Sequence, residues 1–70
     1  GGEVGVLFRE FEKGVRVSLR SNHIPILAVA EKFSGGGHDL ACGCELDMPL
    51  PDAERRVLDA LRKLLNKSKP

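Results

Sequence analysis

The sequence predicts an α+β domain: a small mixed sheet that begins with an antiparallel hairpin and is covered by two or three helices. Three observations carry this reading. Apolar residues alternate with polar ones through Val4, Val6 and Phe8, and again through Val15, Val17 and Leu19, which is the period of half-buried strands. Near the C-terminus Ala53, Val57, Leu58, Leu61, Leu64 and Leu65 recur at helical spacing. Between these regions lies a glycine run flanked by apolar stretches, which marks a turn inside the fold.

The two alternating segments are joined by Glu12-Lys13-Gly14, where Gly14 can take the positive φ of a tight hairpin turn. Pro25 suits the first turn of a helix, where its missing N–H costs nothing. Ile26 to Phe33 then place Ile26, Leu27, Val29, Ala30 and Phe33 largely on one side, with Gly35 as the stop. His38 to Cys42 are expected to form a second short helix closed by Gly43, followed by a strand through Cys44, Leu46 and Met48. Pro49-Leu50-Pro51 breaks the chain, and Asp52 is the expected N-cap of the final helix. That helix turns Glu54, Arg55, Arg62 and Lys63 outward, and Lys67-Ser68-Lys69-Pro70 reads as a solvated end.

With 70 residues the chain is expected to be one domain. A core of this size buries only about 60% of the surface that the unfolded chain exposes. Charged residues make up 30% and apolar ones 41%, the composition of a globular domain rather than a disordered tail. Eleven Lys and Arg against ten Asp and Glu leave a net charge of +1, which excludes the strongly basic footprint of a module that grips long duplexes. Any phosphate contact is therefore local. No apolar run reaches the ~20 residues that span a bilayer, and no secretory signal opens the sequence, so a cytoplasmic protein without membrane partners is expected. Gly1-Gly2 reads as a linker end, and a chain this short as a piece of something larger.

The chemistry concentrates in Phe33-Ser34-Gly35-Gly36-Gly37-His38-Asp39-Leu40-Ala41. Glycines let backbone N–H groups approach an anion closely, and a helix beginning after the run would add its positive dipole end. His38 can donate a hydrogen bond to a phosphate oxygen. Arg20 and Ser21 close the second strand, where a guanidinium can grip phosphate bidentately with a hydroxyl beside it. Each piece also has a plainer reading: a flexible loop with a surface histidine, and a solvated arginine at a strand end.

Cys42 and Cys44 stand one residue apart, unsuited to an ordinary disulfide, and are read as small apolar residues in a reducing compartment. Together with His23, His38 and Asp39 they offer donors for zinc, but without the paired C-x-x-C or H-x-x-x-H knuckles of structural sites. No cluster of Asp and His has metal-ligand density, and Ser18, Ser21 and Ser34 sit in no nucleophile setting, so the fragment alone is expected to be inactive.

The ordered series Val15-Arg16-Val17-Ser18-Leu19-Arg20-Ser21, Ile26 to Phe33, Gly35-Gly36-Gly37-His38 and Ala41-Cys42-Gly43 resembles the DHH-associated domain, the C-terminal, substrate-binding half of DHH phosphoesterases. The likeness covers roughly residues 2 to 65 and is strongest to proteins of the nanoRNase/oligoribonuclease and 3′-phosphoadenosine 5′-phosphate phosphatase type. It implies a hydrolase parent with exonuclease relatives. A separate N-terminal domain would carry an Asp-His-His motif and manganese, and would be this domain's partner in cis. It further implies that Arg20, Ser21, Gly35, Gly36, Gly37 and His38 hold the phosphates of short single-stranded RNA or DNA or of a nucleoside bisphosphate, with no cofactor held by this domain itself. Two positions depart from the pattern: Ser34 stands where many members have a fourth glycine, and Cys42 where a second alanine is common.

Two other functions fit less of the sequence. A non-catalytic module for single-stranded nucleic acid needs stacking platforms, and the chain has three Phe and no Tyr or Trp. A small zinc-stabilised interaction domain would use the Cys and His set above. A tRNA-synthetase or editing appendage, which can carry a similar domain, would differ in lacking an upstream Asp-His-His motif.

Overall fold

The computed structural model describes residues 3–67, so Gly1-Gly2 and Ser68 to Pro70, including most of the expected solvated tail, lie outside the described residues. The elements run β1 (Val4–Phe11), β2 (Gly14–Ser21), α1 (Leu27–Lys32), β3 (Gly36–His38), β4 (Ala41–Leu46) and α2 (Leu50–Lys67). The strands form one sheet in the order β1-β2-β4-β3. The class is the expected α+β, opened by a hairpin, with two helices. All three pairings are antiparallel, so the sheet is not the mixed one expected.

In the β1–β2 hairpin Phe11 faces Gly14 across Glu12 and Lys13. Neither turn residue has positive φ; Gly14 does, at 153°. A Cβ on Gly14 would lie 2.1 Å from the Leu46 carbonyl oxygen, so glycine is needed there for close approach to β4 as well as for the turn.

Alternation along β2 sends Val15, Val17 and Leu19 to one face, where they are buried with Cys44 and Leu46 of β4. Ile26, Val29 and Ala30 around α1 and Ala53, Val57, Ala60 and Leu61 of α2 close over them. Val15, Val17, Leu19, Ile26 and Val57 are almost completely inaccessible, and each such side chain contributes roughly 1.5–3 kcal/mol by leaving water. Val4, Val6 and Phe8 of β1 pack on the margin of this core. Both helices therefore lie on one side of the sheet.

The expected helix over His38 to Cys42 is not formed. Gly36–His38 and Ala41–Leu46 are instead a second hairpin turning at Asp39-Leu40. The alternation that places Cys44 and Leu46 inward begins two residues earlier, at Cys42, which faces Leu19 of β2. Local helix preference is weak, and here the backbone bonds offered by β2 override it. Gly43 is accordingly not a helix stop but a mid-strand residue, where a Cβ would sit 2.6 Å from the Val17 carbonyl oxygen. β4 ends at Leu46, leaving Met48 beyond the strand and packed against the core.

Helix α2 starts at Leu50, and the Pro49 carbonyl accepts hydrogen bonds from the Asp52 and Ala53 N–H groups at 3.1 and 3.0 Å. Asp52 thus lies inside the first turn rather than at the N-cap. There it favours the positive helix end and pairs with Arg55 at 3.2 Å. Pro51 is tolerated because first-turn N–H groups have no intrahelical acceptor. Leu58, expected in the core, is 47% exposed, and Ala60 takes the buried position.

Candidate functional site

The side of the sheet opposite the helices is open, and the strand register arranges it in rows. Arg20 stands across from Gly5 on one side and Ala41 on the other, and Ala41 in turn faces His38. The next row is Leu7, Ser18, Gly43 and Gly36, and the one after that is Arg9, Arg16 and Glu45. Two glycines and a serine in the middle row leave a trough floored mainly by backbone. Arg16, Ser18, Arg20 and the segment Ser34 to Gly37 line it.

The glycine segment is held against β4 by the end of α1. Ser34, at φ 64°, donates its N–H to the Glu31 carbonyl at 3.0 Å, while Gly35 N–H reaches the Ala30 carbonyl at 2.8 Å. This is the paired-bond helix ending that favours glycine at the left-handed residue. Ser34 occupies that residue here, at the position where the resemblance implies a glycine. A Cβ on Gly35 would lie 2.1 Å from the Gly43 carbonyl oxygen, and Gly37 has φ 133°. Gly35 and Gly37 are therefore needed for close packing and backbone geometry. Gly36 has open space where a Cβ would be, on the exposed floor of the trough.

The sequence-predicted residues are thus only partly gathered. Arg20, Gly35, Gly36 and Gly37 border one trough. His38 shares the Arg20 face across Ala41 but stands at the strand end, outside the trough lining. Ser21 closes a neighbouring depression with Glu3, Asn22 and Leu40. Its Oγ accepts the Ile24 N–H at 2.9 Å, and its own N–H donates to the Leu40 carbonyl at 3.0 Å. Ile26 N–H similarly reaches the Asp39 carbonyl at 2.8 Å, so the β3–β4 turn is bonded to the end of β2. Gly35 N–H is engaged by α1, which leaves amides of the edge strand β3 that point away from β4 as the ones open to an anion. The helix dipole expected after the glycine run is missing because no helix begins there.

Arg20 makes no ion pair or hydrogen bond from its side chain among the described residues, whereas Arg16 is engaged. Arg16 Nε donates to Glu45 Oε2 at 2.8 Å, and the guanidinium lies 5.9 Å from the Phe11 ring centroid. Sequence reading did not assign Arg16, Ser18 or Gly43 to the site. Counting back from Arg20 in steps of two would have found the first two, whereas Gly43 becomes visible only once β4 is paired.

The cysteines sit on the covered face. Cys42 Sγ donates to the Ile26 carbonyl at 3.6 Å, and Cys44 is in the core. Burial pushes both thiols above their ordinary range, with Asp39 and Glu31 adding to the effect on Cys42 and Cys42 adding to it on Cys44. They are therefore protonated and poorly nucleophilic near neutral pH. His23 pairs with Glu3 at 3.6 Å, away from them. Among the described residues no three His, Cys, Asp or Glu side chains come together to hold a metal ion, and no helix is long and apolar enough to cross a membrane. Of the three Phe, Phe8 and Phe33 pack against the core, and only Phe11 is substantially exposed.

The sequence is similar to those of known proteins. The family model described as the DHHA1 domain matches residues 1–67. The chain is 40% identical over 70 residues to the bifunctional oligoribonuclease and PAP phosphatase NrnA of Thermus thermophilus. The match covers 97% of this chain and 22% of that protein, so the chain spans less than a quarter of the relative's length.

Proposed function

The chain belongs to the DHHA1 domain family, and we propose that it is the substrate-holding part of a DHH-family phosphoesterase acting on short oligoribonucleotides or a nucleoside bisphosphate. The activities in the relative's name, oligoribonuclease and PAP phosphatase, motivate the substrate class. The observation that carries the reading is the register that sets Arg20, without a side-chain partner among the described residues, across Ala41 from His38 and beside a floor of Ser18, Gly43 and Gly36.

Arg20 neutralises the phosphate and orients it through its planar fork of donors. The Gly36 floor, lacking a side chain, lets the anion approach edge-strand amides, and His38 donates from the strand end. Ser21 contributes chiefly by fixing the turn that aims Arg20, with its hydroxyl hydrogen still available to donate. The chain's own residues bind and orient. Bond breaking belongs to a catalytic domain elsewhere in a longer cytoplasmic parent, where the family resemblance puts the manganese; the donors described above form no site for that metal. The isolated domain is accordingly inactive.

An amide chemical-shift titration of the 70-residue chain with 3′-phosphoadenosine 5′-phosphate, with adenosine as the phosphate-free control, tests this. Shifts at Arg20 and at Gly36 to His38 with the phosphorylated ligand only are expected. Equal responses to both ligands, or none at millimolar concentration, would reject the assignment.

A further inference from the structure

The open face extends past the trough onto the β1–β2 hairpin, and its side chains follow a pattern that the phosphate site does not use. Leu7 is 60% exposed beside Ser18, on the side of β1 away from the core. One step further, Arg9 stands across from Arg16. This like-charged pair is compensated on one side only: Glu45 and Phe11 engage Arg16, while Arg9 has no side-chain partner among the described residues. Along this hairpin the order is thus free cation, apolar platform, free cation, from Arg20 through Leu7 to Arg9. Four residues of strand separate the level of Arg20 from that of Arg9, ~13 Å at the usual rise, farther than one phosphate group can bridge.

We propose that Leu7 and Arg9 extend the site toward a second nucleotide, with the base that follows the first phosphate resting on Leu7 and the next phosphate contacting Arg9, so that the domain favours a dinucleotide or longer strand over a mononucleotide. This rests on the reading of Arg20 as the first phosphate contact. An apolar side chain between two cations matches the alternation of base and phosphate along a single strand, and an exposed apolar surface accepts any base face. Glu45 limits the subsite to one net positive charge by neutralising Arg16, which suits a singly charged phosphodiester better than a terminal phosphate dianion.

The test is a shift titration of the 70-residue chain with adenosine 5′-monophosphate and with a 5′-phosphorylated adenylate dinucleotide, repeated on Leu7→Ser, Arg9→Gln and, as a distant control, Leu58→Ser. The unmodified chain is expected to bind the dinucleotide more tightly by on the order of tenfold, the size of one base or phosphate contact. Arg9→Gln removes most of that gain while leaving the mononucleotide affinity within about twofold; Leu7→Ser weakens both ligands by a similar factor, and Leu58→Ser changes neither. Arg9→Gln also lowers the slope of log affinity against log salt for the dinucleotide by about 0.7. Equal affinities for the two ligands, or dinucleotide shifts at Arg20 and Gly36 without any at Leu7 and Arg9, would overturn the subsite and leave the first phosphate site standing. Absence of shifts with every phosphorylated ligand would overturn both.

Discussion

The two faces of β2 are built from alternate residues of one strand, yet they differ in almost every physical respect. Val15, Val17 and Leu19 are inaccessible beneath two helices, whereas Arg16, Ser18 and Arg20 look onto a face that no element among the described residues covers. Packing on the first face sets the position of the second, because one backbone carries both. A change inward should therefore cost stability, and a change outward should alter what the face binds while the fold persists.

Leu19→Ala tests the inward half and has the largest expected effect. Removing a fully buried leucine should destabilise the chain by about 2–5 kcal/mol, a large share of the total for so small a domain. Chemical denaturation would read this as a lowered midpoint; a loss below 0.5 kcal/mol would mean that the face is not tightly packed. Arg20→Ala probes the outward half. It should leave the denaturation midpoint nearly unchanged, while kcat/KM of the full-length parent on a short oligoribonucleotide falls about 10- to 100-fold, the worth of a charge-assisted hydrogen bond. If stability dropped with activity, the division between the faces would not hold.

Ser34→Gly sharpens the comparison at the helix end that positions the glycine segment. Relief of the left-handed backbone at φ 64°, less the added freedom of glycine in the unfolded chain, should raise stability by about 0.5–1 kcal/mol. A lower thermal midpoint would show that the serine side chain makes up for its strain.

The smallest expected effect is on pH dependence and belongs to the covered face alone. Burial holds the Cys42 and Cys44 thiols above the ordinary value of 9.0. The unfolded chain therefore ionises first, and the folded state keeps its full stability below pH 9 and loses part of it as pH rises through the folded pKa values. Thermal midpoints measured between pH 8 and pH 10 should fall, and should fall less in Cys44→Ala than in the unmodified chain when each is referred to its own value at pH 8. Identical pH profiles would place the loss elsewhere.

How much of this was legible in the sequence follows from where each signal lies. The first hairpin reads directly because both strands carry their own alternation and Gly14 stands at the turn. The last helix reads directly because four buried positions repeat along one stripe. The β3–β4 hairpin does not, since glycines carry no apolar period and Ala41-Cys42 is locally as compatible with a helix as with a strand. Its identity depends on β2, from which Leu19 meets Cys42. The site divides in the same way. Arg20 and the glycines stood out as residue types at a strand end and in a loop, while Ser18, Gly43 and the capping role of Ser34 emerge only when the strands are in register.

By itself the sequence determined the α+β class, the hairpin and the C-terminal helix, because these rest on periodicity and turn chemistry encoded locally. Only the tertiary structure decided that the sheet is wholly antiparallel, that both helices share one face, and that Arg20 and a glycine floor border one trough on the other, with His38 at its strand end. Those outcomes depend on which backbone groups pair across the chain, and pairing is selected by burying one whole face at once, an energy that no single segment contains.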